Sequence, residues 1–299
     1  MHAFAFSVLA GALVLFSHTP VFSQDNTLNW VGCGISKKSY MNKLAAAYKK
    51  QQGTDINVQG GGATRGIRDV ANQSADLGGS CRYHLPGNEL EQQTAFEPVA
   101  WDALAIIVHK DNPVDNVSLE QVRQIYTGEI RNWKQLGGHN TPIHLFARKG
   151  NISGVGYSIR SQIFYDVSKA FAATQLFKSS GPLEQAVETD TNAIAITGVS
   201  SARLRDVKIL SLDNKQPDYA SIKSGNYKLY RPLYITYNPE SEKIKEIKAF
   251  IKFAHSRQGR DIMIENDVVP YLDALRLVMI QSRQSLSSQR NSEQNITYQ

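Results

Sequence analysis

Four short stretches of this 299-residue chain place glycine and a hydroxyl within a few positions of each other, and three of them add arginine: Gly32-Cys33-Gly34-Ile35-Ser36, Gly60 to Gly66 (GGGATRG), Gly78-Gly79-Ser80-Cys81-Arg82 and Arg148 to Gly154 (RKGNISG). Glycine lets backbone N–H groups approach a bound group closely and accepts the dihedrals that a ring of such donors requires. The hydroxyls of Ser36, Thr64, Ser80 and Ser153 can each donate one hydrogen bond. Arginine offers a planar, charge-assisted fork that suits a tetrahedral oxyanion. A buried dianion needs that many donors to offset its lost hydration. Taken singly, each turn is equally a tight connection between elements, and Arg82 and Arg148 are equally surface charges or members of structural ion pairs.

The elements that must position these turns follow from periodicity. Leu28 to Val31 is strand-like, and Ser39 to Gln52 carries Tyr40, Leu44, Ala47 and Tyr48 at helical spacing, with Gly53 as its stop. Ile56 to Val58 and Ala75 to Gly78 continue the strands, with a short helix from Arg65 to Gln73 between them. Val99 to His109 is an apolar run long enough for one buried strand. A second series then begins: a helix from Ser118 to Tyr126 with Ser118 and Gln121 spaced as a capping box, a strand at Ile143 to Ala147, a helix from Gly154 to Tyr165 and a strand at Ala193 to Thr197. Leu229 to Tyr237 is again strand-like, and Glu240 to His255 is an amphipathic helix. Strand, small-residue turn and helix in alternation define an α/β protein with mainly parallel sheet flanked by helices. In such sheets the carboxyl ends of the strands form the ligand crevice, so the four turns should gather on one edge. Helix N-termini there present unpaired N–H groups and partial positive charge.

Composition bounds the rest. Residues 1–23 contain no Asp, Glu, Lys or Arg, and Ala3 to Phe16 is an apolar run of signal-peptide length followed by small residues at Ser23. The run is too short for a spanning helix, so secretion without membrane insertion is expected. About 275 residues remain, beyond the size at which one hydrophobic core usually stops growing, which favours two domains. The net charge of +6 suits an anionic ligand, while the absence of any block of five like charges argues against nucleic acid. Gly60, Gly62 and Gly66 miss the dinucleotide-binding spacing, and there is no P-loop. Ser153-Gly154 lacks the hydrolase nucleophile pattern, and the seven histidines form no metal motif, so neither catalysis, metal nor cofactor is expected. The sequons at Asn72, Asn116, Asn151 and Asn295 are read as chance.

The order of these motifs resembles the phosphate-binding-protein family of ABC importers, with its type II periplasmic solute-binding fold, over nearly the whole mature chain. The resemblance rests on the first three turns, on Trp101 to Val108 (WDALAIIV), on Ile125 to Trp133 (IYTGEIRNW), on Gly225 to Leu233 (GNYKLYRPL) and on the helix ending Ser256-Arg257-Gln258-Gly259. It implies two lobes: residues 24–108 with 231–280, and residues 109–230, joined by crossovers near Val108 to Lys110 and Leu229 to Pro232; separately, the Ser- and Gln-rich composition of residues 281–299 marks a polar, disordered tail. Residue by residue it points to Ser36, Ser80, Arg82, Arg148, Ser153 and Gly154 as ligand contacts, to which the neighbouring Gly34, Ile35, Thr64, Cys81 and Val155 are added. Asp76 and Asp102 also match family carboxylates and are read as structural.

The sequence departs from the family at Ala63, where a serine is usual, and at Val155, where a threonine is. Cys81 occupies a position at which some phosphate binders have an aspartate. Adjacent first and third strands would bring Cys33 and Cys81 together, and a disulfide between them is the expectation, with two buried thiols as the alternative. The resemblance implies a monomeric periplasmic protein that closes on a small oxyanion, phosphate first, and hands it to an ABC permease. The competing readings are a secreted hydrolase or phosphatase and an oxyanion-binding surface or signalling module uncoupled from transport.

Overall fold

A computed structural model describes residues 27–282. The expected leader lies outside the described residues, as does the expected disordered tail except Gln281 and Ser282, which belong to a helical stretch at 276–282. The first series runs β1 (Thr27–Gly32), a helical segment 34–52 made of α1 (Gly34–Ser36), a π-turn (Lys37–Met41) and α2 (Asn42–Gln52), then β2 (Asp55–Gly60), α3 (Ala63–Ala71), β3 (Leu77–Ser80), α4 (Glu89–Gln92) and β4 (Ala95–His109). The second contains β5 (Asn116–Val117), α5 (Leu119–Thr127), β6 (His144–Arg148), α6 (Gly154–Ile159), β7 (Gln175–Phe177), α7 (Ser180–Thr189), β8 (Ala193–Gly198), α8 (Val199–Ala202), β9 (Val207–Ile209), β10 (Ser211–Leu212) and α9 (Tyr219–Ser224). The chain then returns through β11 (Tyr230–Tyr237), α10 (Ile244–His255), α11 (Arg257–Ile264) and β12 (Val269–Pro270). Gly53, with φ of 73°, ends α2, and Ser118 and Gln121 form the expected capping box on α5.

The strands lie in the order β2-β1-β3-β11-β4-β8-β6-β7. β1 is parallel to β2 and β3, and β6 is parallel to β7 and β8, which gives each lobe its own parallel sheet. β4 belongs to both. Its residues up to Ala103 pair with β11, and from Leu104 onward they pair with β8. The partner change therefore falls at Ala103/Leu104, a few residues before the crossover expected from sequence, because the apolar run continues as one strand into the second sheet. Every residue from Val99 to Val108 is at most 1% exposed, which accounts for the absence of polar alternation in a strand covered on both faces. The return crossing is bonded to it through the Leu104 N–H and the Leu229 carbonyl at 2.8 Å.

One seam fixes where the first-lobe turns end up. Gly32 pairs with Gly79 across β1 and β3, and a Cβ on Gly32 would stand 2.4 Å from the Gly79 nitrogen. A Cβ on Gly66 would stand 2.5 Å from the Val31 carbonyl oxygen. α3 thus lies backbone to backbone on the sheet, and that approach delivers its N-terminus to the strand ends.

Candidate anion-binding cleft

At the carboxyl ends of β1, β2 and β6 a cleft of about 440 Å³ opens between the two sheets. Cys33, Gly34 and Cys81 line one side and Arg148 and Gly154 the other, joined by the Gly60–Ala63 loop and by the Lys178–Gly181 loop that starts α7. The gathering of turns expected from the sequence is found, and a further junction joins it. Lys178-Ser179-Ser180-Gly181 has the same signal as the first four, small residues and hydroxyls between a strand and a helix, but β7 is only three residues long and gives little periodicity to read.

Three helical segments begin on this cleft: α1 after Cys33, α3 after Gly62 and α7 after Ser179. None of these cap residues makes a side-chain hydrogen bond to its helix. The first-turn N–H groups are the natural partners of an anion. At α6 the cap is filled: Ser153 Oγ accepts from the Gly156 N–H at 3.2 Å, leaving its hydroxyl hydrogen to donate elsewhere.

Arg148 ends β6 and is 8% exposed. Its Nη1 donates to Ser180 Oγ at 2.9 Å, its Nη2 to the Lys178 carbonyl at 2.7 Å and its Nε to the Phe177 carbonyl at 3.3 Å. These bonds tie the guanidinium to the loop that opens α7. Among the described residues no carboxylate stands within ion-pair distance of it. Burial pulls its pKa below the ordinary arginine value, while the cysteine sulfurs beside it favour the charge. A buried cation held by neutral acceptors at the mouth of three uncapped helices has the chemistry that suits an anion.

Arg82 does not share that role. It forms a buried pair with Glu91, Nη2 to Oε1 at 2.7 Å and Nη1 to Oε2 at 2.8 Å, and its Nε donates to the Ile152 carbonyl at 2.9 Å. Its charge is paired and its donors are engaged within the chain. Ser80 Oγ donates to the Arg82 carbonyl at 2.6 Å, and Thr64 Oγ1 donates to the Ile152 carbonyl at 3.0 Å, so both expected donors serve the backbone instead. Arg82 and Thr64 together clasp the Ile152 carbonyl across the gap between the lobes. Ser36, Ile35 and Val155 are buried next to cleft residues, and Ser36 Oγ has no hydrogen-bond partner among the described residues. Asp102 accepts from the Ser200 hydroxyl at 2.9 Å and pairs with buried Arg231 at 3.3 Å. Asp76 accepts from the Asn29 N–H at 2.7 Å.

The expected disulfide is not formed. Cys33 and Cys81 are free, buried thiols whose sulfurs lie 3.0 Å apart, well outside the covalent distance of about 2.05 Å. The strand adjacency that motivated the pairing is real, since the Cys33 N–H donates to the Gly79 carbonyl at 2.8 Å. The shared proton splits the pair: the hydrogen bond to Cys81 pushes the Cys33 thiol up, whereas the same bond, with Arg231 and Arg148 nearby, brings Cys81 down to about 6. Among the described residues no cluster of three or more potential ligands could hold a metal, and no helix is long and apolar enough to cross a membrane.

Two lobes sharing a strand, with helix starts converging on a cleft between them, define the type II periplasmic binding fold. The PBP superfamily domain matches residues 31–258, and the chain belongs to that family. Among curated relatives it is 27% identical over 254 residues to the phosphate-binding protein PstS of Borreliella burgdorferi, covering 81% of this chain and 90% of the relative. It is also 27% identical over 248 residues to PstS of Bacillus subtilis, covering 80% of each. Among solved structures, the substrate-binding protein of a putative phosphate ABC transporter from Clostridium perfringens, with bound phosphate, superposes with a TM-score of 0.74 at 27% identity, covering 82% of this chain and 99% of the other. An ABC-type phosphate transport receptor from Vibrio cholerae gives 0.62 at 28% identity, covering 82% and 99%.

Proposed function

We propose that this protein captures phosphate in the interlobe cleft and delivers it to an ABC importer, acting as a binder and not as a catalyst. The observation that carries the reading is Arg148, a buried guanidinium with no carboxylate partner, set among helix starts whose N–H groups no side chain caps. The names of its relatives, phosphate-binding proteins and phosphate receptors of ABC transporters, support phosphate as the anion and a permease as the partner. The apolar, uncharged N-terminal run supports export, which in a bacterial cell means the periplasm or the outer surface.

One lobe is built from residues 27–103 with 231–280 and the other from 104–230, the first boundary being moved from 108 to where β4 changes partners. Gly34 and Cys81 face the anion from the first lobe, and Arg148, Gly154 and the Ser153 hydroxyl face it from the second. Donors from both sides make the closed arrangement the one that the ligand favours.

Calorimetric titration with phosphate, sulfate and molybdate tests the assignment. Arg148→Ala should weaken phosphate binding about 10- to 100-fold, the effect of losing a charged hydrogen-bond donor from a buried site. The exposed neighbour Lys149→Ala should change it by less than about twofold. Equal effects at the two positions would remove the assignment, and steady turnover of a phosphate ester would replace binding with hydrolysis.

A further inference from the structure

The cleft is larger and more cationic than a lone tetrahedral anion requires. Its volume of about 440 Å³ lies in the range of roughly 300–1,000 Å³ typical of organic ligands, whereas a water fills only about 30 Å³ and an orthophosphate a few times that. Besides Arg148, three lysines line it: Lys37 and Lys38, from the first-lobe helical segment, and Lys178, from the loop opposite. No Asp or Glu is among the lining residues. Lys38 lies 3.9 Å from Glu184, but that carboxylate is already engaged by Arg205 at 3.3 Å, Thr197 at 2.7 Å and Ser201 at 2.9 Å. Neither Lys37 nor Lys178 has a carboxylate partner among the described residues.

The walls along this cationic stretch are bare for no internal reason. A Cβ on Gly34 would meet nothing within 4 Å, and on Gly60 or Gly181 only the ends of lysine or arginine side chains at 3.8 Å. None of these three glycines has a positive φ. Neither packing nor backbone conformation calls for glycine there, so the space is kept for something outside the chain. It is also approached from two sides, by the uncapped start of α1 and by that of α7, the latter ten residues long.

We infer that the cleft takes an extended polyanion, a condensed phosphate or a phosphate ester bearing a second anionic group, with one phosphoryl group at Arg148 and the remaining charge along Lys37, Lys38 and Lys178. This rests on reading the cleft as a phosphate site and deepens it. A single dianion leaves the lysines unmatched, whereas a chain of linked tetrahedral groups brings charge to both loops and bridges the lobes over a longer span.

The test is titration of the full chain, in metal-free buffer, with orthophosphate, pyrophosphate, tripolyphosphate and 3-phosphoglycerate, whose carboxylate is the second anionic group. Pyrophosphate or tripolyphosphate should bind at least about tenfold more tightly than orthophosphate, with a steeper loss on raising salt, as expected when more charges are paired. The ratio of the two affinities is the readout for the lysines: Lys37→Ala with Lys178→Ala should bring it to about one, and Lys37→Arg with Lys178→Arg should restore it. Orthophosphate binding with pyrophosphate weaker or excluded would overturn the inference and leave the phosphate reading standing. A ratio unmoved by the lysine pair would overturn it as well. Binding of none of the four would sink both.

Discussion

Helix starts on the cleft and helix starts elsewhere are built differently. Away from it, Asn88, Ser118, Asp218 and Ser256 each accept a hydrogen bond from the first turn of α4, α5, α9 and α11 through their own side chains. At α8, where Gly198 has no side chain to offer, Asp102 reaches over from β4 and accepts from the Ser200 N–H at 3.2 Å. α10, after Lys243, is the exception. On the cleft, Cys33, Gly62 and Ser179 leave α1, α3 and α7 without such a bond, while α6, which also starts there, is capped by Ser153. A cap satisfies the helix from within and contributes stability; an absent cap leaves donors and partial positive charge available to a ligand. Three of the four helix starts on the cleft are thus locally incomplete, whereas most of those elsewhere are complete.

The sharpest way to break this contrast is to supply the missing acceptor. Gly34→Asp places a carboxylate at the start of α1 in space that no atom of the chain occupies. Phosphate affinity should fall by at least about 100-fold through charge repulsion and competition for the N–H groups, while the melting temperature holds or rises. A smaller effect belongs to Cys81, whose thiolate is the one negative charge on the cleft wall. Its pKa of about 6 means that it is ionised above that pH, and a bound anion would raise the value. Anion binding therefore takes up a proton and tightens as pH falls from about 8 to about 5, with a limit of tenfold per pH unit for one proton. Comparing wild type with Cys81→Ser for the same anion cancels the ligand's own titration, and the difference between the two profiles should lie in that window. Smallest is the change at a complete start: Ser118→Ala should cost about 1 kcal/mol of stability in chemical denaturation and leave phosphate affinity untouched.

Much of this is legible in the sequence. Local signals carried it: the capping box at Ser118, the glycine stop at Gly53, the unbroken apolar run of β4 and the small-residue turns that do meet at one edge. What the sequence hid is of longer range. Arg82 and Arg148 stand in similar turns and read alike, yet only the first has Glu91 within reach, because α4 folds back beneath the turn after β3. Lys178 and Ser180 escaped notice because β7 is too short to announce the junction that follows it. The closeness of the two cysteines is legible in the sequence but their bonding is not, since adjacency on neighbouring strands fixes proximity and not oxidation state. Lys37 and Lys38 carry no signal in the sequence that sets them apart, and only the cleft across from them gives those charges something to face.

The seam of Gly32, Gly66 and Gly79 has a consequence for how such a protein can change. Behind that wall of the cleft, main chain rests on main chain, so Gly32 and Gly66 cannot gain a side chain without pushing strand from strand or helix from sheet. On the opposite wall, from Lys178 to Gly181, Ser180 holds Arg148, but the exposed Lys178 side chain is under no such main-chain constraint. A lineage selecting for a different anion would find its variation there, one jaw serving as a fixed anvil while the other is recut.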